Sequence, residues 1–353
     1  MIRKISVYML FVILIAVLFS CRTLSVEKSP SEFEIQQVIP ASETSTPPEQ
    51  QLIKIGFVRP TGMHYWDSAV FQSVVDTFDN AEGFMLMQND TSDVLKVDNV
   101  TDMIHDWIKN GVEYLVYYPM DYGNELNEIV VNLAMEANVG IILIGNSFDL
   151  IDDSFYSSAV ANDYSLEGKM AEAWLYRYLK DNELVLDDVR IAHLACSNFA
   201  AVDSNEIKRS QALKSAVDAH PGWTILDSKS CDNDLSIGER TMAQFLEEYP
   251  DITVVYADNE YAALGAIEAI KSAGKEPGSD IIVMTFGGEH IALKAIVMRE
   301  LTMTVGVNPI YGPKVREIIR ALDHGEEVDK VYYLNDRVID LNSISDLLPH
   351  NGY

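Results

Sequence analysis

Residues 53–58 read Ile-Lys-Ile-Gly-Phe-Val, a short apolar run followed by a helical period at Asp67–Asp79. The same couplet recurs. Phe84–Gln88 leads into Thr101–Asn110, Tyr114–Tyr118 into Asn124–Asn138, and Gly140–Ile144 follows. These runs are apolar at consecutive rather than alternate positions. Such strands are buried on both faces, as in a parallel sheet covered by helices. Strand alternating with helix predicts right-handed βαβ crossovers and an α/β fold.

Working outward, the pattern starts again. Tyr156–Val160 precedes Tyr164–Asn182, and Arg190–Ala195 precedes Asn205–Ala219. Trp223–Ser228 precedes Ile237–Tyr249, and Val254–Ala257 precedes Glu260–Ala273. Ile281–Thr285, Ile291–Met298, Met303–Val307 and Tyr311–His324 complete the series. Two doubly wound parallel-sheet lobes of similar size are therefore expected. Sheets of this kind bind ligands at the carboxyl ends of their strands. Two facing lobes would bury a ligand between them.

The N-terminus has a different character. Arg3 and Lys4 precede an aliphatic stretch, Ile5–Phe19, which ends at Ser20-Cys21. A charged start, a short apolar core and a small residue at the cut make an export signal. The run is shorter than the roughly 20 residues of a membrane span. Leu18-Phe19-Ser20-Cys21 resembles the bacterial lipobox, in which the cysteine thiol receives a diacylglycerol and becomes the mature N-terminus. Phe19 is bulkier than that motif carries, and an ordinary secretory signal or a short anchor helix is the alternative. Residues 1–20 are thus expected as a lipoprotein signal peptide. Residues 21–51, rich in Ser, Thr, Glu, Gln and Pro, are expected as a flexible, lipid-anchored spacer.

The chain has 353 residues, 54 acidic against 26 basic, and a formal charge of −28. Removing the leader would remove two bases and no acid. Such a field repels nucleic acid and anionic lipid, so neither is expected as a partner. The length exceeds one small core and suits about two domains.

There are three cysteines. With Cys21 lipidated, Cys196 and Cys231 remain as a pair in an oxidising compartment. Each follows a strand-like run, so they form either a disulfide between neighbouring strands or two separate buried thiols.

No catalytic constellation is present. GxSxG, HExxH, GxGxxG and the phosphate loop ending in Lys and Ser/Thr are all absent. The seven histidines, among them His64, His105, His193 and His290, are scattered without metal-ligand spacing. The expectation is a binding protein with no enzymatic activity, no cofactor and no metal.

Several segments carry a family likeness. Ile53-Lys54-Ile55-Gly56-Phe57 followed by Tyr65-Trp66 is similar to the first strand and ligand loop of ABC-transporter solute-binding proteins. Asn162-Asp163-Tyr164-Ser165-Leu166-Glu167-Gly168 resembles their crossover into the second lobe. Val254–Glu260 with Leu264-Gly265-Ala266 resembles their most recognisable strand–helix segment. The terminal Asn351-Gly352-Tyr353 is like the ending of some galactofuranose-type members. The resemblance covers residues 52–353 and is closest to the ribose- and galactofuranose-binding type. It implies the type I periplasmic-binding-protein-like fold, with two lobes joined by three crossovers. It also implies closure over a sugar and delivery to a membrane permease. The lobes are expected as residues 52–161 plus 287–307 and 162–286 plus 308–353.

Site residues follow from the resemblance one at a time. Trp66 is expected to stack on a sugar face, beside Tyr65 and Asp67. Asp163 either accepts ligand hydroxyls or caps the helix behind it. Arg209 is expected to fork onto ring and hydroxyl oxygens. Asn259 either binds ligand or caps the next helix. Asp121, Asn146, Phe199, Gly287 and Asn308 complete the expected ligand set, with His64 and Tyr122 on the same loops.

The departures bear on the ligand. Gly145-Asn146 stands where the family has Asp-Arg, and Gly287-Gly288 where it has Asp-Gly. Trp66-Asp67 replaces Trp-Arg, and Asn233 replaces an aromatic residue. A hydroxyl buried without its partner costs about 1–3 kcal/mol, so other residues compensate or the ligand differs. The expected function is an extracytoplasmic, monomeric, lipid-anchored binding protein of an ABC importer. The alternatives are docking on a membrane signalling receptor, or a non-sugar ligand such as a nucleoside or an amine. An enzyme with an unrecognised site is a further alternative. A DNA-binding repressor of the same fold is strongly discounted, because a signal and an acidic spacer stand where its helix-turn-helix would be.

Overall fold

The computed structural model describes residues 52–59, 65–79, 81–89, 97–119, 124–195, 207–232 and 234–346. In the first lobe β1 (Ile53–Val58), α1 (Tyr65–Phe78), β2 (Phe84–Gln88), α2 (Val97–Lys109), β3 (Tyr114–Tyr117), α3 (Asn124–Glu136), β4 (Gly140–Ile144) and β5 (Ser158–Ala161) alternate. The second lobe continues with α4 (Tyr164–Asp181), β6 (Val189–Ala195), α5 (Ile207–Ala219), β7 (Trp223–Ser230), α6 (Leu235–Glu248) and β8 (Val254–Ala257). It is completed by α7 (Glu260–Ser272), β9 (Ile282–Gly287), α8 (His290–Val297) and β10 (Met303–Gly306). The chain then runs through α9 (Gly312–Asp323), β11 (Val331–Tyr333) and β12 (Arg337–Asp340).

The strands form two six-stranded sheets, β11-β5-β4-β3-β1-β2 and β12-β10-β9-β8-β6-β7. All pairings are parallel except β10 with β12. Each sheet reverses its winding after its first strand, between β1 and β3 and between β6 and β8. Those switch points open a crevice at the carboxyl ends of the strands. The interiors of β1, β3 and β4 are fully buried, which explains their unbroken apolar sequence.

The expected lobe boundaries are corrected at two places. Residues 287–307 belong to the second sheet through β9 and β10, not to the first lobe. Residues 312–333 return to the first lobe, where β11 pairs with β5. There α9 packs on α1 and β5, and Tyr311, Val315, Ile318 and Ile319 join Ile55 and Phe57 in one buried cluster. The third passage, at 334–336, leads to β12 in the second sheet. β11 and β12 are short and partly exposed, so no apolar period marks them in the sequence.

The three passages meet at Asn162. Its Nδ2 donates to Asp336 Oδ1 at 2.8 Å and to the Asn308 carbonyl at 3.2 Å. Its Oδ1 accepts from the Tyr311 hydroxyl. Its backbone N–H donates to Asn146 Oδ1 at 2.8 Å. Asn308 N–H closes the knot on Asp336 Oδ1 at 2.8 Å. Because all three passages leave from the carboxyl edges of the strands, those two edges face each other.

Replacing Asn162 with Ala strands the buried Tyr311 hydroxyl and removes a donor from Asp336. At about 1–3 kcal/mol per orphaned group, Asn162→Ala should lower unfolding free energy by roughly 2–4 kcal/mol. A denaturant midpoint equal to the wild type would contradict the knot.

Candidate functional site

The first-lobe wall is built at the ends of β1, β3 and β4. Trp66, in the first turn of α1, is half-buried and meets Tyr311 edge-to-face, with ring centroids 6.1 Å apart. Its buried indole N–H has no hydrogen-bond partner. Asp67 is 8% exposed, and its Oδ1 accepts from the Tyr118 hydroxyl at 3.1 Å. Tyr118 follows β3 and packs edge-to-face on Phe71. Gly145 follows β4 with φ of +91°, and a side chain there would overlap the Tyr118 ring. A tyrosine therefore fills the space that an aspartate at 145 would claim.

The second-lobe wall centres on Arg209. Gly168 lets α5 approach α4, since a Cβ there would overlap Ala212. That approach sets Arg209 against Glu167, with Nε and Nη2 at 2.7 and 2.5 Å from Oε2. Nη1 donates to the Asp258 carbonyl at 2.9 Å. The guanidinium lies between the Tyr164 and Phe286 rings, 4.1 and 4.5 Å from their centroids. Cation–π contact and the fork together fix its plane. Burial holds the Glu167 carboxyl up at about 7, and Arg209 pulls against that rise.

Acids surround this arginine. Asp258 lies on His193 Nε2 at 3.2 Å and accepts from Ser210 at 3.2 Å, and His193 Nδ1 lies 2.6 Å from Ser228 Oγ. Glu260 accepts from the backbone N–H groups of Gly288 and Glu289. Burial pushes Glu260 up to about 7, against those two donors. Gly287 has φ of +144°, and a side chain there would overlap the Glu260 carboxyl. The acid expected on β9 is thus supplied by α7 instead. Beside it Gly287, Gly288, Gly306, Asn308 and Arg337 line a groove of about 500 Å³.

Two doubly wound lobes, three crossovers and polar walls at facing strand ends define the architecture. The sequence of residues 55–313 matches the model of the periplasmic binding protein domain. The chain belongs to the periplasmic binding protein family.

Among curated relatives, the galactofuranose-binding protein of Escherichia coli is 28% identical over 61% of this chain and 65% of its own length, just under two thirds. The ribose import binding protein of Bacillus subtilis is 28% identical over 69% of this chain and 72% of its own. Among solved structures, a Mycobacterium smegmatis protein in complex with β-D-fucofuranose superposes with a TM-score of 0.67 at 24% identity. It covers 84% of this chain and 94% of that one. The periplasmic binding component of the Shewanella arabinose transporter gives 0.67 at 22% identity, covering 83% and 94%. At these identities the structures speak for the fold.

In this periplasmic binding protein the expected site residues fall in different places. Trp66, Asp67 and Arg209 stand on the two walls. Gly287 lies between Glu260 and the groove beside the crossovers. Asn146, Asp163, Asn259 and Asn308 have their side chains engaged within the protein. Asp163 caps α4, accepting from Ser165 and Leu166 N–H at 3.0 Å each. Asn259 caps α7 through Ala262 N–H at 2.9 Å and donates to the Asp232 carbonyl at 2.7 Å. Asn146 and Asn308 serve the crossovers. Tyr65 opens α1. Asp121 and Phe199, with Cys21, His64, Tyr122 and Asn233, lie outside the described residues.

Of the two alternatives for the cysteines, Cys231 shows the buried thiol. Cys231 is a free thiol, 0% exposed, packed with Met242 and Phe245. It points into the α6–α7 core and donates to the Lys229 carbonyl at 3.6 Å, and burial pushes its thiol up to about 11. Cys196 lies outside the described residues.

Sequence reasoning passed over Tyr118, Tyr164, Glu167, Asp258, Glu260, Phe286 and Asp336. Tyr118, Asp258 and Phe286 lie at the carboxyl ends of strands, a rule that could have found them. Glu167 stands four residues after Asp163, within the motif already quoted. Asp336 has no local signal. Among the described residues no helix is long and apolar enough to cross a membrane, and no group of His, Cys, Asp and Glu could hold a metal ion.

Removing Arg209 leaves Glu167 buried and unpaired. Arg209→Ala should cost about 3–5 kcal/mol of stability at pH 8. At pH 5 the cost should be smaller, because Glu167 then stays neutral. Chemical denaturation at the two pH values checks the difference, and equal losses would contradict the pairing.

Proposed function

We propose that this chain is the extracytoplasmic solute-binding component of an ABC importer, and that it captures a small neutral sugar between its lobes. It is a binder rather than a catalyst. The observation that carries the reading is Arg209, held between Tyr164 and Phe286 on the second-lobe wall, together with the half-buried Trp66 on the first-lobe wall. An indole packs on the C–H face of a furanose or pyranose. The guanidinium keeps two N–H groups beyond those spent on Glu167 and Asp258, enough to reach ring and hydroxyl oxygens. The names of the galactofuranose- and ribose-binding relatives support this ligand class.

Binding works by closure. Contacts from both lobes favour the closed state, and only that differential affinity shifts the hinge. Residues 1–20 serve as the export signal and Cys21 as the lipid attachment point.

One observation favours a second reading. Asp67 stands beside Trp66 where the resemblance implied an arginine. A carboxylate next to an indole is a pair that holds an ammonium group. On that reading the ligand is an amine-bearing molecule such as an amino sugar.

Calorimetry with ribose, methyl β-D-galactofuranoside, glucosamine and adenosine separates the two. Binding of a neutral sugar without glucosamine supports the first reading, and the reverse supports the second. Trp66→Ala should weaken the bound sugar about tenfold, near 1.4 kcal/mol, with an unchanged circular dichroism spectrum. Undiminished affinity in that variant would remove Trp66 from the site.

A further inference from the structure

One buried side chain touches both the first-lobe wall and the hinge. Tyr311 is 0% exposed and immediately precedes α9. Its ring meets the Trp66 indole edge-to-face, with centroids 6.1 Å apart. Its hydroxyl donates to Asn162 Oδ1, at the point where the three passages are tied together.

The backbone on either side repeats the connection. Asn308, a member of the knot, opens the turn that ends at Tyr311. Ile310 N–H donates to Asn308 Oδ1 at 2.9 Å, and Tyr311 N–H to the Pro309 carbonyl at 3.1 Å. After the tyrosine, Gly312 N–H donates to Ser73 Oγ at 3.0 Å, and a Cβ at 312 would overlap the Ser73 carbonyl. The start of α9 is thus seated directly on α1, the helix that carries Trp66 in its first turn.

The indole depends on such support. Its N–H is buried and has no hydrogen-bond partner, so no directional bond of its own sets the ring. A tyrosine side chain is rigid, and when buried it finds a partner for its oxygen. Held at its hydroxyl, Tyr311 presents a fixed edge for the indole to lean on. A shift of the crossovers at Asn162 is carried through the phenol to Trp66. A ligand pressing on Trp66 is felt at the crossovers by the same route, since coupling between two sites is reciprocal.

We propose that Tyr311 is a positioning residue for ligand binding, which sets the Trp66 indole and couples it to the three crossovers through its bond to Asn162. The ligand part rests on the closure reading and on Trp66 as a sugar contact. The coupling part stands on the geometry of the three side chains.

Tyr311→Phe keeps the ring and removes the bond. The chain has four tryptophans, and in the full chain labelled with nitrogen-15 tryptophan the Trp66 indole signal is the one lost in Trp66→Phe. Without ligand, Asn162→Ala should move that signal. In the Tyr311→Phe background the same substitution should move it no more than about half as far. The signals of Trp107, Trp174 and Trp223 should stay in place and report an intact fold. If Asn162→Ala does not fold, Tyr311→Phe alone should move the Trp66 signal. A Trp66 signal that stays still, or that moves equally in both backgrounds, would overturn the coupling whatever the sugar does.

Calorimetry with methyl β-D-galactofuranoside gives the second readout. Tyr311→Phe should weaken binding about fivefold in the wild-type background and less than about twofold in the Trp66→Ala background. A role in stability alone would cost the same in both, so equal losses would overturn the positioning of the indole. A coupled Trp66 signal with no sugar binding by the wild type would uphold the coupling and overturn only the sugar reading.

Discussion

Asn162 holds three separate passages of the chain at one point. Its amide donates to Asp336 and to the Asn308 carbonyl, and its oxygen accepts from Tyr311. An amide suits this place because it can donate and accept at once with fixed geometry. The two lobes are otherwise complete, each with its own sheet and its own cores. Their relation therefore depends on a few buried polar bonds rather than on a shared apolar core. Bonds of that kind have definite directions, which fixes how the three passages cross.

Acids hold both Arg209 and the knot. Arg209 lies on Glu167 and on the Asp258 carbonyl, while Asp336 holds Asn162 and Asn308. Side chains from neighbouring elements stand where the family pattern implied charges on the strand ends. Glu260 fills the place beside Gly287, and Tyr118 fills the place beside Gly145. A glycine at each strand end makes room for a side chain arriving from a neighbouring element. The cleft is thus more acidic on its second-lobe side and less cationic on its first-lobe side than the family pattern implied. That shift in charge favours neutral or cationic solutes over anionic ones.

The elements were legible because burial on both faces writes an unbroken apolar run. β1, β2, β4 and β8 have the bounds their sequences predict. The lobe boundaries were not legible. Residues 287–307 look no different from first-lobe strands, because every parallel strand obeys the same rule. Only the pairing of β9 with β8, and of β11 with β5, assigns them. The site was legible in part. Trp66 and Arg209 carry chemistry that few other roles require, whereas Asp163 and Asn259 are equally good helix caps, and their hydrogen bonds serve the caps.

What the sequence determined by itself is the alternation of buried strand and amphipathic helix, and with it two parallel α/β lobes whose strand ends form the site. Local periodicity suffices there, since each element reports its own burial. What only the tertiary structure decided is the company each polar residue keeps. Asn162 and Asp336 lie 174 positions apart in the chain, and nothing in either neighbourhood marks the other. Their contact arises because three crossovers converge, and convergence is a property of the whole chain rather than of any segment. The acidity of a buried carboxyl depends on that company, so the electrostatics of the site could be read only once the fold had brought its groups together.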